Sequence, residues 1–197
     1  MAFPLPRAWQ QKKQRALAGL QEALQRGEVD EDILPLLQII NSSENFFTTS
    51  SCAGRIMVME KPPTESKPET RVLGKWHREV TLEEVKQAVS QHSKDYLWFK
   101  LDSFILHIVA RTLEDAAALL HAVRGAGLRN SGIRAVTASG VLVAITGTEN
   151  IEHLLGKDGK VCCTEEELGL LVETANRKFR RMRARLKQLE ALLQKLL

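Results

Sequence analysis

Apolar residues recur at intervals of three and four from Arg7 to Arg26. Leu17, Leu20 and Leu24 share one stripe, and Gly27 stands just past the end, which predicts a helix. Asp30 is the expected N-cap of a shorter helix, with Glu31 and Asp32 in its first turn and an end near Asn41. The period then changes to two. Phe46–Ser51 is aromatic and β-branched, and Arg55, Met57 and Met59 alternate with Ile56 and Val58. The short Cys52-Ala53-Gly54 link predicts that these two strands pair as a hairpin.

Residues 61–75 hold three of the six prolines and read as a loop. Thr81 with Glu84 is a capping box opening a helix to about His92. Strands are expected at Tyr96–Asp102 and Phe104–Arg111, and Thr112 caps an Ala- and Leu-rich helix ending near Gly125 or Gly127. A further strand pair, Ile133–Ser139 and Val141–Thr146, meets at Gly140. Last, Leu168, Val172, Ala175, Phe179, Met182, Leu186, Leu189, Leu193 and Leu196 follow a heptad rhythm behind Thr164 and an acidic first turn. A helix over 164–197 would be roughly 50 Å long. Strand pairs separated by single helices predict an α/β (α+β) protein with a mixed, largely antiparallel sheet and a long C-terminal helix.

The chain has 197 residues, 44% apolar and 26% charged, which fits one globular domain and excludes a disordered or fibrous chain. Three cysteines, Cys52, Cys162 and Cys163, argue for a reducing, cytoplasmic setting rather than a disulfide scaffold. The N-terminus MAFPLPRAWQQKKQR carries no apolar signal core, and the uncharged run Ala135–Thr148 is too short and polar to span a membrane. The net charge of +4 is unevenly placed. Arg177, Lys178, Arg180, Arg181, Arg183, Arg185 and Lys187 fall within one stretch without an acid, leaving the rest of the chain net acidic. Such asymmetry points to a polyanionic partner.

Three segments carry candidate chemistry. On the strand Tyr96–Asp102, Leu97, Phe99 and Leu101 face one way, and Trp98, Lys100 and Asp102 the other. A Trp, a cation and an anion on one face suit a binding surface, or else an exposed ion pair beside a half-buried ring. Ser50-Ser51-Cys52-Ala53-Gly54-Arg55 places hydroxyls, a Gly and an Arg in one tight connection able to hold a carboxylate or phosphate, or forms an ordinary Ser-rich turn. Arg129-Asn130-Ser131-Gly132-Ile133-Arg134 has similar chemistry. The five histidines show no metal-ligand spacing, so no metal is expected, and no Rossmann or Walker glycine pattern occurs.

FTTSSCAGRI, KWH, WFKLDSFILHIVA and GLRNSGIR, in that order, resemble the signature blocks of the tRNA wybutosine-synthesising protein family, third enzyme of that pathway. The likeness runs from about residue 10 to 190. Ala53 stands where the pattern would have Ser, and Ser103 where it would have Pro.

The resemblance implies a single methyltransferase-like domain over 1–197 with a compact, barrel-like sheet built from repeated strand-pair and helix units. It also implies S-adenosylmethionine-dependent N(4)-methylation of a wyosine-type guanosine (7-aminocarboxypropyl-demethylwyosine) at position 37 of tRNA(Phe), as in archaea. Implied catalytic residues are Asp102, Lys100 and Ser51. Implied cofactor residues are Ser50, Ser51, Arg55, Ser131, Gly132 and Arg134. On the tRNA side stand Trp76, His77 and Trp98, with Arg177, Lys178, Arg180, Arg181, Arg183, Arg185 and Lys187, joined by Lys12, Lys13 and Arg15. A monomer or weak homodimer without membrane attachment is expected. Competing readings are a non-catalytic RNA-binding module, a coiled-coil interaction protein using the C-terminal heptads, and an enzyme dependent on Cys52.

Overall fold

The computed structural model describes residues 7–197, so Met1–Pro6, the start of the segment read for a signal, lies outside the described residues. The nine described strands pair only antiparallel and fall into two sheets. Four strands, β1 (Phe46–Cys52), β5 (Ile105–Ala110), β7 (Gly140–Thr146) and β6 (Gly132–Thr137), lie side by side in that order. The other sheet runs β3 (Arg71–Trp76), β2 (Arg55–Lys61), β4 (Tyr96–Asp102), β8 (Ile151–Lys157) and β9 (Lys160–Val161). The helices are α1 (Arg7–Gln25), α2 (Leu34–Ser42), α3 (Leu82–Val89), α4 (Leu113–Gly125) and α5 (Glu165–Leu196). The α/β expectation and the antiparallel pairing hold; the strands divide between two sheets.

The chain clusters into two units. The first takes the chain up to Ala53, Phe104–Thr148 and Ala184–Leu197. Here Trp9 of α1 meets Phe47 edge-on at 5.4 Å between ring centroids, and both bury against Val109. The second takes Gly54–Ser103 and Glu149–Arg183. Its sheet buries Ile56, Val58, Leu97, Phe99 and Leu101 on one side.

Local chemistry explains most element ends. Thr81 and Glu84 close the expected capping box, and the Arg78 guanidinium with the Thr81 N–H pulls the Glu84 carboxyl to about 2. Thr112 makes the same box with Asp115. Along α5 the seam is buried from Leu168 to Leu193, while Leu196 is exposed. The single chain covers this seam, which leaves the coiled-coil alternative without an exposed heptad face.

Several expectations are corrected. β1 and β2 do not form a hairpin: β2 is a central strand with β3 and β4 on its flanks, so both its edges are already paired. Gly54, at φ +91°, turns the chain away after β1, and a Cβ there would meet the Met182 side chain. Arg71–Trp76, the end of the Pro-rich stretch, is strand β3. The α3 helix stops at Val89. Asp30 does not cap its helix through its side chain; that carboxylate instead accepts from the Ala53 N–H at 2.8 Å, and the chain enters α2 through a short 3-10 turn, with Pro35 in the first turn of α2. Strands β8 and β9 carry no strong alternation and were not expected.

One buried carboxylate ties the second unit together. Glu60 points from β2 into the interior with a side chain 1% exposed. It accepts from the Ser93 N–H at 2.6 Å and the Lys94 N–H at 3.2 Å, and pairs with Arg71 at 3.2 Å. His92 Nδ1 lies 3.0 Å away, and His92 Nε2 accepts from the Gly159 N–H, so the ring sits as the Nδ1–H tautomer. Burial alone would raise the Glu60 carboxyl; the donors outweigh it and hold it below the ordinary 4.5. A depressed native value stabilises the fold above the unfolded-state value and is lost as pH falls through and below about 4.5. Glu60→Ala should cost about 3–5 kcal/mol in denaturant unfolding, because it strands the donors around it. Glu60→Gln should flatten the loss of stability that the parent protein shows on acidification from about pH 5 to about pH 3.

Candidate active site

Strand β4 sets out the chemistry of the five-stranded sheet. Leu97, Phe99 and Leu101 are fully buried, and Tyr96, Trp98, Lys100 and Asp102 come out on the opposite face. The register places Arg55 of β2 opposite Asp102, and Glu152 of β8 opposite Lys100. Arg55 Nε stands 3.7 Å from Asp102 Oδ2, and Lys100 Nζ lies 3.9 Å from Asp102 Oδ1 and 3.0 Å from Glu152 Oε1. Lys61 reaches the same Glu152 oxygen at 3.5 Å. The Lys100 hydrogen bond holds the Glu152 carboxyl below the ordinary carboxylate range against the opposing pull of burial, with Lys61 adding to it.

Ser51, the third residue implied as catalytic, lies on β1 of the other sheet; Lys100 and Asp102 share one face, as the strand pattern predicts, and the register adds Arg55. The fourth member, Glu152, was missed. Only the register of β8 reveals it, and the run IEHLLGK does not announce a strand. Asp102 is shared by two cations at distances longer than a tight hydrogen bond, with its side chain 38% exposed. A carboxylate so placed can take up a proton or orient a cationic or N–H group of a ligand.

The four-stranded sheet gathers the remaining cofactor candidates. Cys52 pairs with Ile105 and Ile105 with Thr146, while Gly132 pairs with Ala144. Ser50, Ser51, Ser131 and Gly132 therefore stand at one end of this sheet, with β5 and β7 between the two groups. Three strand spacings put them about 14 Å apart. Ser131 is buried, and its Oγ accepts from the Thr146 N–H at 3.3 Å. Arg134 is exposed on β6. Burial, with the Arg134 cation in support, holds the His107 ring below its ordinary value.

Among the described residues, Ser51 Oγ and Thr146 Oγ1 are buried without a hydrogen-bond partner. Orphaned hydroxyls at one sheet end are an opening for a polar ligand. Ser50 and Ser51 also line a cavity of about 510 Å³ between α1 and β1, walled by Ala16, Gly19, Leu20 and Thr48. That volume lies within the range of small-molecule sites.

The basic stretch of α5 is more engaged than its composition suggested. Arg180 pairs with Glu79, Arg181 with the buried Glu149 at 3.3 Å, and Lys178 Nζ donates to the Asn150 carbonyl. Arg183 donates to the His77 carbonyl and Arg185 to Thr148. Acids from distant segments supply what the helix lacks. Arg177 and Lys187 are exposed and have no such partner among the described residues. Near α1, Lys12 donates to Ser139 and Lys13 lies over the Trp9 ring. Trp76 and His77 are half-buried at the end of β3. None of the three cysteines is in a disulfide, and burial pushes the Cys163 thiol up.

Known proteins resemble this chain along nearly its whole length. A family model described as Methyltransferase TYW3 matches residues 11–195. A Pyrococcus horikoshii protein named tRNA(Phe) 7-((3-amino-3-carboxypropyl)-4-demethylwyosine(37)-N(4))-methyltransferase 1 is 47% identical over 183 residues, 93% of each chain. A Methanocaldococcus jannaschii protein of the same name without the numeral is 36% identical, over 87% of this chain and 89% of its own. A solved Pyrococcus horikoshii structure superposes with a TM-score of 0.91 at 45% identity, covering 97% of this chain and 98% of that one. On these matches, the chain belongs to the Methyltransferase TYW3 family.

Proposed function

We propose that this protein transfers a methyl group from S-adenosylmethionine to N(4) of a wyosine-type guanosine at position 37 of tRNA(Phe). The observation that carries the reading is the Arg55–Asp102–Lys100–Glu152 cluster on one sheet face, in a chain whose relatives bear that activity in their names. A family of methyltransferases calls for a methyl donor. The two orphaned hydroxyls and the neighbouring cavity fit a polar small molecule of that kind. Ser50, Ser51, Ser131, Gly132 and Arg134 are the residues we assign to holding it. The bound cofactor supplies an electrophilic methyl on a sulfonium centre.

The protein's own work is positioning and electrostatics. Arg55 offers a guanidinium to a carboxylate, a group that the substrate named for the relatives also carries. Asp102 orients the accepting nitrogen and takes its proton. Lys100 is kept in place by Glu152 and stands beside Asp102. Cations along α5, with Arg177 and Lys187 the least engaged, meet tRNA phosphates.

Titration calorimetry with S-adenosylmethionine should give saturable binding that Ser51→Ala weakens at least tenfold. Asp102→Ala should keep that binding while methyl transfer to tRNA(Phe) falls about 10²–10⁴-fold. Binding of tRNA without any transfer would instead favour the non-catalytic RNA-binding module. Retention of transfer in Cys52→Ser would set aside a nucleophilic cysteine. The tRNA affinity should fall steeply with salt, and Arg177→Gln or Lys187→Gln should each lower the slope of log K against log salt by about one.

A further inference from the structure

The outward face of the five-stranded sheet continues past the charged cluster into an aromatic pocket that the methyl-transfer site does not use. Tyr96, Trp98, Leu154, Pro62 and Pro63 wall it, Lys61 and Glu65 stand at its rim, and it encloses about 220 Å³. The walls come from three adjacent strands in register: Lys61 lies opposite Tyr96, Leu154 opposite Trp98, and Lys157 opposite Tyr96 on the far flank. Lys61 Nζ sits 5.8 Å from the Trp98 ring centroid, and Lys157 Nζ 5.0 Å from that of Tyr96.

Leu154 is 46% exposed and Val72, on the same sheet, 50% exposed. A solvent-facing sheet face that holds a Trp, a Tyr and a Leu at one spot is dear to maintain unless a partner covers it. The charge on this face says which partner. Arg55, Lys61, Lys75, Lys100 and Lys157 outnumber Asp102, Glu152, the rim residue Glu65 and Asp158, which lies 3.7 Å from Lys157. Aromatic rings interleaved with lysines on a sheet are the surface on which unpaired bases stack while their phosphates meet cations.

Trp98 is four residues from Asp102 along β4, about 13 Å at 3.3 Å per residue. A base stacked there is therefore a different one from the base whose nitrogen meets Asp102. We infer that the Tyr96–Trp98–Leu154 pocket holds a second, unpaired nucleotide of the RNA substrate, its base on the rings and its phosphate at Lys61 and Lys157. This rests on the reading of RNA as substrate and adds a contact that sets how the strand is threaded over the sheet.

The test is a fluorescence titration of the full-length protein with single-stranded hexaadenylate RNA at low salt. Saturable quenching of tryptophan emission that disappears in Trp98→Phe is expected, because Trp9 is buried and Trp76, in register with Ile56 and Leu101, belongs to the opposite face of the sheet. Tyr96→Ala and Leu154→Glu should each weaken tRNA(Phe) binding about tenfold. They should raise KM for methyl transfer with kcat nearly unchanged. A flat titration, quenching that survives in Trp98→Phe, or equal quenching by duplex RNA would overturn the pocket even in a protein that methylates tRNA. Quenching specific to Trp98 in a protein that transfers no methyl group would uphold the pocket and remove the catalytic reading.

Discussion

The alternation of side chains along β4 is the constraint on which the rest of the second unit depends. This strand is paired along both edges, to β2 and to β8, so it cannot slip without breaking two ladders. Leu97, Phe99 and Leu101 are each fully buried, and a one-residue shift would expose all three while forcing Lys100 and Asp102 inward. The hydrophobic term thus fixes the register, and the register fixes which charges meet. Arg55, Glu152 and Lys61 face β4 because their strands are locked to it, not because ion pairs at 3–4 Å drew them there. Such half-exposed pairs contribute little stability. They are available for chemistry because the core, not the pairs, holds them in place.

Period-two and period-three-to-four patterns were legible wherever one face of an element is buried. The capping boxes at Thr81 and Thr112, the β6–β7 pair and the seam of α5 all follow from local residue choice, whereas α1 buries Trp9 and leaves Leu24 of its predicted stripe exposed. What could not be read was pairing. The sequence between β1 and β2 looks like a hairpin because a turn is local, whereas their partners, β5 for one and β3 with β4 for the other, lie across 11 to 64 residues. The same limit hid Glu152, which acquires meaning only from its register with Lys100. Asp30 shows a subtler case: its place before a helix signals a cap, yet its carboxylate is used by the Ala53 N–H on another segment.

The candidate site was legible in its residue types and not in its partition. Ser50, Ser51, Ser131 and Gly132 come to one end of the four-stranded sheet because β1 and β7 end there and β5 and β6 begin there. Antiparallel order alone achieves this: connections at alternate ends bring loops far apart in sequence to a common edge. The resemblance carried roles onto these residues, and the topology supplies a physical reason why segments with similar chemistry, at 50–52 and 131–134, stand at the same end of one sheet with β5 and β7 between them. The unpartnered Ser51 and Thr146 hydroxyls at that edge are the part that no pattern in the sequence marks.

The basic helix illustrates how far composition can mislead and where it still informs. Seven cations without an acid suggest a bare phosphate-binding strip, yet Glu79 and the buried Glu149 pair with two of them and backbone carbonyls take others. A guanidinium held by one carboxylate still has donors to spare, since Arg carries five N–H groups in a fixed fork. Arg180 and Arg181 are therefore preorganised rather than cancelled: their side chains are 60% and 67% exposed even while paired. Ordering long side chains before a ligand arrives lowers the entropy cost of binding, so the acids that reduce the net charge of this face also fix the geometry in which its remaining donors are presented.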